Sequence, residues 1–352
     1  MRLVWHDRWV FPSNSPETDR DPWVNDPPGD GPAPRTGPDV KTEERGRSRG
    51  PRRLRRGGSP RRADDALDED EDEYEEPPVE VPRQLSLAVG GFAALLGIGL
   101  IVGAQTSGPG DRLPFAIVVF LVQVLFVSAW TVVTRPPASA VVVGVGVLAA
   151  AVADTVAIRT AEPRLLPLFS VAVGGVLVAV LGQLVRRVDR VRVTDSVRTT
   201  AAIVLGPVAF ATLIVLTRVP AGTQAIAVCL AASAVALTVA RLTDAVAAWP
   251  RLAPQVPRGA AGVVGGAMVG TLVSALLGGY LVTPFTPTRA AIIGLVTAVV
   301  AVLADLAAGY AEAGRLMAGE LPDAWSARHV QGPLAGFAMA APAAYLMCRL
   351  VL

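Results

Sequence analysis

Residues 289–352 read RAAIIGLVTAVVAVLADLAAGYAEAGRLMAGELPDAWSARHVQGPLAGFAMAAPAAYLMCRLVL, and the fold class is decided there. The stretch opens on an apolar run, Ala290 to Leu303. Asp305 follows while the surroundings are still apolar on both sides. A polar segment, Tyr310 to Gln331, separates this run from a second, Pro333 to Leu352. Each run approaches the roughly 20 apolar residues that an α-helix needs to cross a bilayer. A carboxylate inside such a run costs about 2.5–3.5 kcal/mol on insertion scales, so Asp305 is a candidate functional residue from the outset.

The same pattern extends back through most of the chain. Further apolar runs occupy 85–104, 114–133, 138–158, 165–185, 199–217, 221–248, 260–282 and 289–309, before the closing 333–352. Turn-forming residues mark the breaks: Gly108-Pro109-Gly110, Pro136-Pro137, Pro163, Val219-Pro220, Pro254 to Pro257 and Pro284 to Pro287. The expectation is an all-α polytopic membrane protein with about nine transmembrane helices. Composition agrees: 52% of the 352 residues are hydrophobic, and the mean hydropathy is +0.46.

Residues 1–84 differ in kind. Trp5, Trp9 and Phe11 are followed by a Pro-, Gly-, Arg- and Asp-rich stretch, with basic residues concentrated at 45–62 and acidic ones at 64–76. Such a composition cannot bury enough apolar surface to offset chain entropy, and a disordered tail is expected. The first residues lack the apolar core of a secretory signal. An arginine-rich arm touching anionic headgroups is the sharper reading of the basic cluster, but the acidic block lies between it and the membrane.

The net charge is +2, and its distribution is more informative than its sum. Arg186, Arg187, Arg190, Arg192 and Arg198 form the strongest cluster between spans. Placing them in the cytoplasm puts the N-terminal tail, 249–259 and 310–332 on the same side, in a multi-pass plasma-membrane protein.

Chemistry-bearing residues are few. The two cysteines, Cys229 and Cys348, lie in apolar runs and read as small buried hydrophobes. The two histidines, His6 and His329, are far apart in sequence, which leaves almost nothing for a zinc site or a catalytic triad. Gly262, Gly266 and Gly270 recur every fourth residue and read as a helix-packing face. The candidate intramembrane polar residues are Arg241, Asp244, Asp154 and Asp305. Asp154, with Arg159 just beyond it, reads as an interfacial acid. Arg241 and Asp244, three apart, share a helix face and can pair locally. Arg241, Asp244 and Asp305 all fall toward the cytoplasmic ends of their spans, where they could form one site, or Arg241 could pair with Asp305.

The order of features over 195–352 resembles the C-terminal half of the phosphatidate cytidylyltransferases, which make CDP-diacylglycerol from CTP and phosphatidate with Mg²⁺. That family has Ser-Pro-Lys-Lys-x-x-Glu-Gly leading into a span; here Val256-Pro257-Arg258-Gly259 does so. The family's Gly-Asp-Leu-x-Glu-Ser-x-x-Lys-Arg corresponds to Ala304-Asp305-Leu306 and the residues after it. Its last motif, Leu-Pro-Gly-His-Gly-Gly-x-x-Asp-Arg-x-Asp before a span with Ala-Ala-Pro, corresponds to Leu321-Pro322 through Ala335, ahead of Ala340-Ala341-Pro342. Asp305 and Arg258 are therefore the family-matched candidates, and Asp305 is the implied metal ligand. The family's paired aspartates fall on Gly332 and Ala335, and its Lys-Arg pair is missing. Cytidylyl transfer needs carboxylates for metal and cations for pyrophosphate.

The resemblance thus implies a membrane protein that has lost the chemistry, a pseudoenzyme whose role is binding or scaffolding. The expected partners are the lipid bilayer, phospholipid headgroups or another membrane protein, with no nucleic acid. No cofactor is expected, and Mg²⁺ only if activity survives. Two alternatives remain open at this stage. One is a divergent Mg²⁺-dependent cytidylyltransferase using Asp305 and Asp244 on phosphatidate or another lipid phosphate. The other is a small-solute transporter using Asp154 or Asp305.

Overall fold

The computed structural model describes residues 83–108, 111–136, 139–160, 162–185, 193–253, 255–281, 283–319 and 325–352. The expected disordered tail, 1–84, lies outside these apart from Arg83 and Gln84, which open the first helix. Residues 186–192, holding most of the arginine cluster, also lie outside.

The helices are α1 (Arg83–Gln105), α2 (Leu113–Thr134), α3 (Ser139–Arg159), α4 (Leu166–Val185), α5 (Val193–Leu216), α6 (Gly222–Val246), α7 (Ala260–Tyr280), α8 (Pro287–Met317) and α9 (Trp325–Val351). Among the described residues, eight are long and apolar enough to cross a membrane, and α4 is apolar over the shorter stretch Leu166–Gly182. These are the expected spans, with ends moved by a few residues. Turn chemistry sets several boundaries. Thr286 caps α8 by accepting the Arg289 N–H at 3.2 Å, with Pro287 in the first turn, where its missing N–H costs nothing. Arg135 ends α2 in the left-handed region at φ 42°.

Two features depart from the expectation. First, the polar segment 310–332 is not a plain loop. Helix α8 runs on to Met317 and α9 begins at Trp325, so both project past the apolar runs. Arg328 fastens the two projections, donating from Nε to Glu312 Oε1 at 2.6 Å. Second, the α6–α7 connection is a β-hairpin. Strands β1 (Arg251–Ala253) and β2 (Val256–Gly259) pair antiparallel, Arg251 opposite Gly259 and Ala253 opposite Val256. Proline-rich punctuation at 254–257 announced a turn but not the pairing around it.

Helices α5 and α6 form the interior, burying 72% and 61% of their most apolar stretch, against 28% for α7. Around α6 pack α1, α7, α8 and α9; around α5 pack α2, α3, α4 and α9. Lipid tails are as apolar as leucine, so helix association in a membrane depends on close packing rather than on hydrophobic burial. The sequence supplies this with small residues. The buried residues of α7 are Gly262, Gly266, Gly270, Ser274 and Gly278, one every fourth position. A Cβ on Gly270 would come within 2.5 Å of the Ala232 carbonyl oxygen, and one on Gly266 would overlap the Ala236 carbonyl. The α6 and α7 backbones are therefore in direct contact along the face expected from the glycine spacing.

On the α5 side, aromatics fill the space. Phe126 stacks on Trp130 with centroids 4.5 Å apart and meets Phe210 edge-on at 6.0 Å, and Gly206 leaves room for the Phe126 ring. The outward faces carry large apolar residues such as Leu95, Leu166 and Met268, as a lipid-facing surface requires.

Candidate functional site

Four charged side chains from three elements converge where α6 ends and α7 begins. Arg241 and Asp244 come from the last turns of α6, Arg258 from β2 and Asp305 from α8. Asp305 is 1% exposed, and Asp244 and Arg258 are each 3% exposed. Both Asp305 oxygens are engaged: Arg241 Nη2 donates to Oδ1 and Arg258 Nη2 to Oδ2. Arg258 Nη1 lies 3.1 Å from Asp244 Oδ2. Asp244 Oδ1 accepts the Gly259 N–H at 2.9 Å, so the same carboxylate ties down the hairpin and the start of α7.

The hairpin explains why Arg258 is available. Its second strand is held against α6, α7 and α8, and Val256, Arg258 and Gly259 are buried. Gly259 passes so near Ala248 and Trp249 that a Cβ would lie 2.6 Å from the Trp249 nitrogen. Burial lowers the Arg258 pKa from its ordinary value, while Asp305 and Asp244 pull it back up. Helix α9 closes the cluster from the other side. Gly332 sits against it, and a Cβ there would overlap the Asp305 carboxylate and lie 2.8 Å from Arg241 Nη2.

The structure thus brings Arg241, Asp244, Arg258 and Asp305 into one cluster with balanced charge. The Arg241–Asp305 pairing raised by the sequence is present. The local Arg241–Asp244 pairing is superseded: Arg241 reaches across to α8, and Asp244 turns to Arg258 and the Gly259 N–H. Sequence reading placed Arg258 at a motif position in a loop and missed it as the second partner of Asp305. Gly332, which aligns with an aspartate of the resembled family, carries no sequence signal of this close approach.

Asp154 is elsewhere, buried among helices rather than open to solvent. It is 6% exposed and accepts from Gln123 Nε2 at 2.8 Å. Gln123, fully buried on α2, also donates to the Pro207 carbonyl of α5 at 3.0 Å. The signal in the sequence is Gln123 itself, the one amide in the 114–133 run.

The surplus hydrogen-bonding capacity at the charge cluster is mostly in donors. Arg241 Nε and Arg258 Nε are buried without an acceptor, beside a single carboxylate oxygen, Asp244 Oδ2, that has an ion pair but no aligned hydrogen bond. The Mg²⁺ implied by the resemblance does not fit this arrangement. Both oxygens of its best-matched ligand are held by guanidinium groups, so a divalent cation would have to displace them or sit beside them. Among the described residues no group of three or more His, Cys, Asp or Glu is arranged to hold a metal. A cavity of about 440 Å³ opens among α2, α4, α5 and α9, but Trp130, Leu168, Phe169, Leu205 and Met339 make it apolar, and it does not reach the charge cluster. No protein-family model, curated protein or solved structure matches the chain.

Proposed function

We propose that this chain is a non-catalytic membrane protein of cytidylyltransferase-like descent that binds anionic phospholipid headgroups and serves as a scaffold. The observation that carries the reading is the engagement of both Asp305 oxygens by Arg241 and Arg258. A carboxylate so held is a structural counter-ion rather than a metal ligand. The unsatisfied donors around it favour an anion, because guanidinium groups bind phosphate oxygens through charge-assisted hydrogen bonds. The Arg241 side chain, 19% exposed, is the open member of the set.

Purified protein in lipid nanodiscs, given CTP, Mg²⁺ and phosphatidate, should produce no CDP-lipid. Phosphatidate should nevertheless raise its melting temperature more than phosphatidylcholine does, and Arg241→Gln should remove that difference. CDP-lipid formation, or equal melting in both lipids, would refute the reading.

The proposed orientation puts the hairpin and the N-terminus in the cytoplasm of a plasma-membrane protein, following the arginine bias. A cysteine at Asp111, on the α1–α2 connection, should then be modified from outside intact cells. One at Trp249, an exposed residue before the hairpin, should react only after permeabilisation. The reverse pattern would invert the topology.

A further inference from the structure

Three aspartates are buried among the described residues: Asp154, Asp244 and Asp305. The last two face guanidinium groups. Asp154 does not. Its one hydrogen bond comes from the Gln123 amide. Gln123 Nε2 also bonds the Pro207 carbonyl, an acceptor that demands a donor, so the orientation of the amide is fixed.

Two buried atoms are then left without partners, Gln123 Oε1 and Asp154 Oδ2. Both are oxygens, on side chains that already share a hydrogen bond. An amide and an ionised carboxylate can form only that one bond. An amide and a carboxylic acid can form two, with amide N–H to acid carbonyl and acid O–H to amide carbonyl. A single proton on Asp154 would therefore satisfy both orphans at once. It would also remove an unpaired charge from a place where an isolated carboxylate is most costly.

We propose that Asp154 and Gln123 form an intramembrane proton-binding site, with the proton on Asp154 Oδ2 donated to Gln123 Oε1.

The surrounding charges leave this pair alone. The elements packed on α2, α3 and α5 are α1, α4, α6 and α9. Their titratable groups are Arg83 on α1, Cys229, Arg241 and Asp244 on α6, and Arg328, His329, Tyr345, Cys348 and Arg349 on α9; α4 has none over Leu166–Gly182. On the three helices themselves, Arg159 closes α3, and Asp195 and Arg198 lie in the first turns of α5. Arg218, just past α5, donates to the Ala157 carbonyl and Thr160 Oγ1, each at 2.9 Å. Tyr345 is bonded to the Pro163 carbonyl at 2.6 Å. None of these groups forms an ion pair with Asp154.

Loss of the proton would set two acceptor oxygens against each other at the junction of α2, α3 and α5. Gln123 bridges all three helices, so the protonation state of Asp154 biases their packing. Removing that proton would weaken the junction, so raising the pH favours unfolding.

Infrared spectroscopy of the wild type in bilayers at neutral pH should show the carbonyl band of a carboxylic acid. That band should move on isotope labelling of aspartate and be missing from Asp154→Asn. The variant should melt no lower than wild type, because an Asn–Gln pair makes both bonds without a proton, and its melting should respond less to rising pH. Absence of an aspartic-acid band from the wild type at neutral pH would overturn the proposal, whether or not the variant folds. So would a band that persists in Asp154→Asn, or a sodium-dependent melting temperature that the substitution abolishes, since sodium would then occupy the place of the proton.

Discussion

Asp305→Asn is expected to destabilise the membrane domain in detergent by about 3–5 kcal/mol, the usual cost of removing one partner from a buried ion pair. The amide keeps the shape of the carboxylate, so the loss is one of charge. It strands Arg241 on one side and half of Arg258 on the other, and its NH₂ group points a donor at a guanidinium that is itself all donors. Arg241→Gln in the Asp305→Asn background should recover part of the loss by removing one stranded cation. Recovery stays incomplete because Arg258 still faces the amide, although Asp244 retains it. Thermal melts of the two single variants and the double variant give the coupling directly. Unchanged melting in Asp305→Asn, with CDP-lipid synthesis present in the wild type and lost in the variant, would make Asp305 catalytic after all.

Gly266→Ala tests the other large contribution, the contact between α6 and α7. Its methyl group would collide with the Ala236 carbonyl oxygen, which belongs to a helix backbone and cannot swing aside. Overpacking of this kind costs about 1–3 kcal/mol. Alanine gains roughly 1 kcal/mol over glycine in helix propensity, which offsets part of it. The neighbouring Gly265→Ala isolates that gain, because nothing lies within 4 Å of its added Cβ. The expected result is opposite signs at adjacent positions, with Gly265→Ala neutral or stabilising and Gly266→Ala destabilising. Matched melts would decide it, and a loss in both variants would mean that helix packing is not what glycine protects at 266.

The spans were readable because a bilayer imposes a length and an apolar composition that few other structures share. The glycine face of α7 was readable because a fourfold spacing has one geometric meaning on a helix. The charge cluster was half readable. Arg241, Asp244 and Asp305 stood out as charges in apolar runs, and their distances from the span ends put them at one level. Arg258 could not be placed because it sits in a short proline-containing segment, where no periodicity says which way a side chain points. Only the hairpin's packing turns it inward. The partner of Asp154 was not readable for a related reason. Distance from a span end measures depth along a helix and says nothing about which neighbour covers it. Gln123, in another helix and uncharged, was the missing half.

The cluster also imposes an order on biosynthesis. Chain growth delivers Arg241 and Asp244 first, then Arg258 on the hairpin, and Asp305 only with α8. Until α8 arrives, two arginines share one aspartate near the membrane boundary. The helix that balances them carries its own charge in an apolar segment and gains most by entering beside them. A chain that stalls before α8 therefore holds two of these guanidinium groups against one carboxylate, an imbalance that the finished protein lacks.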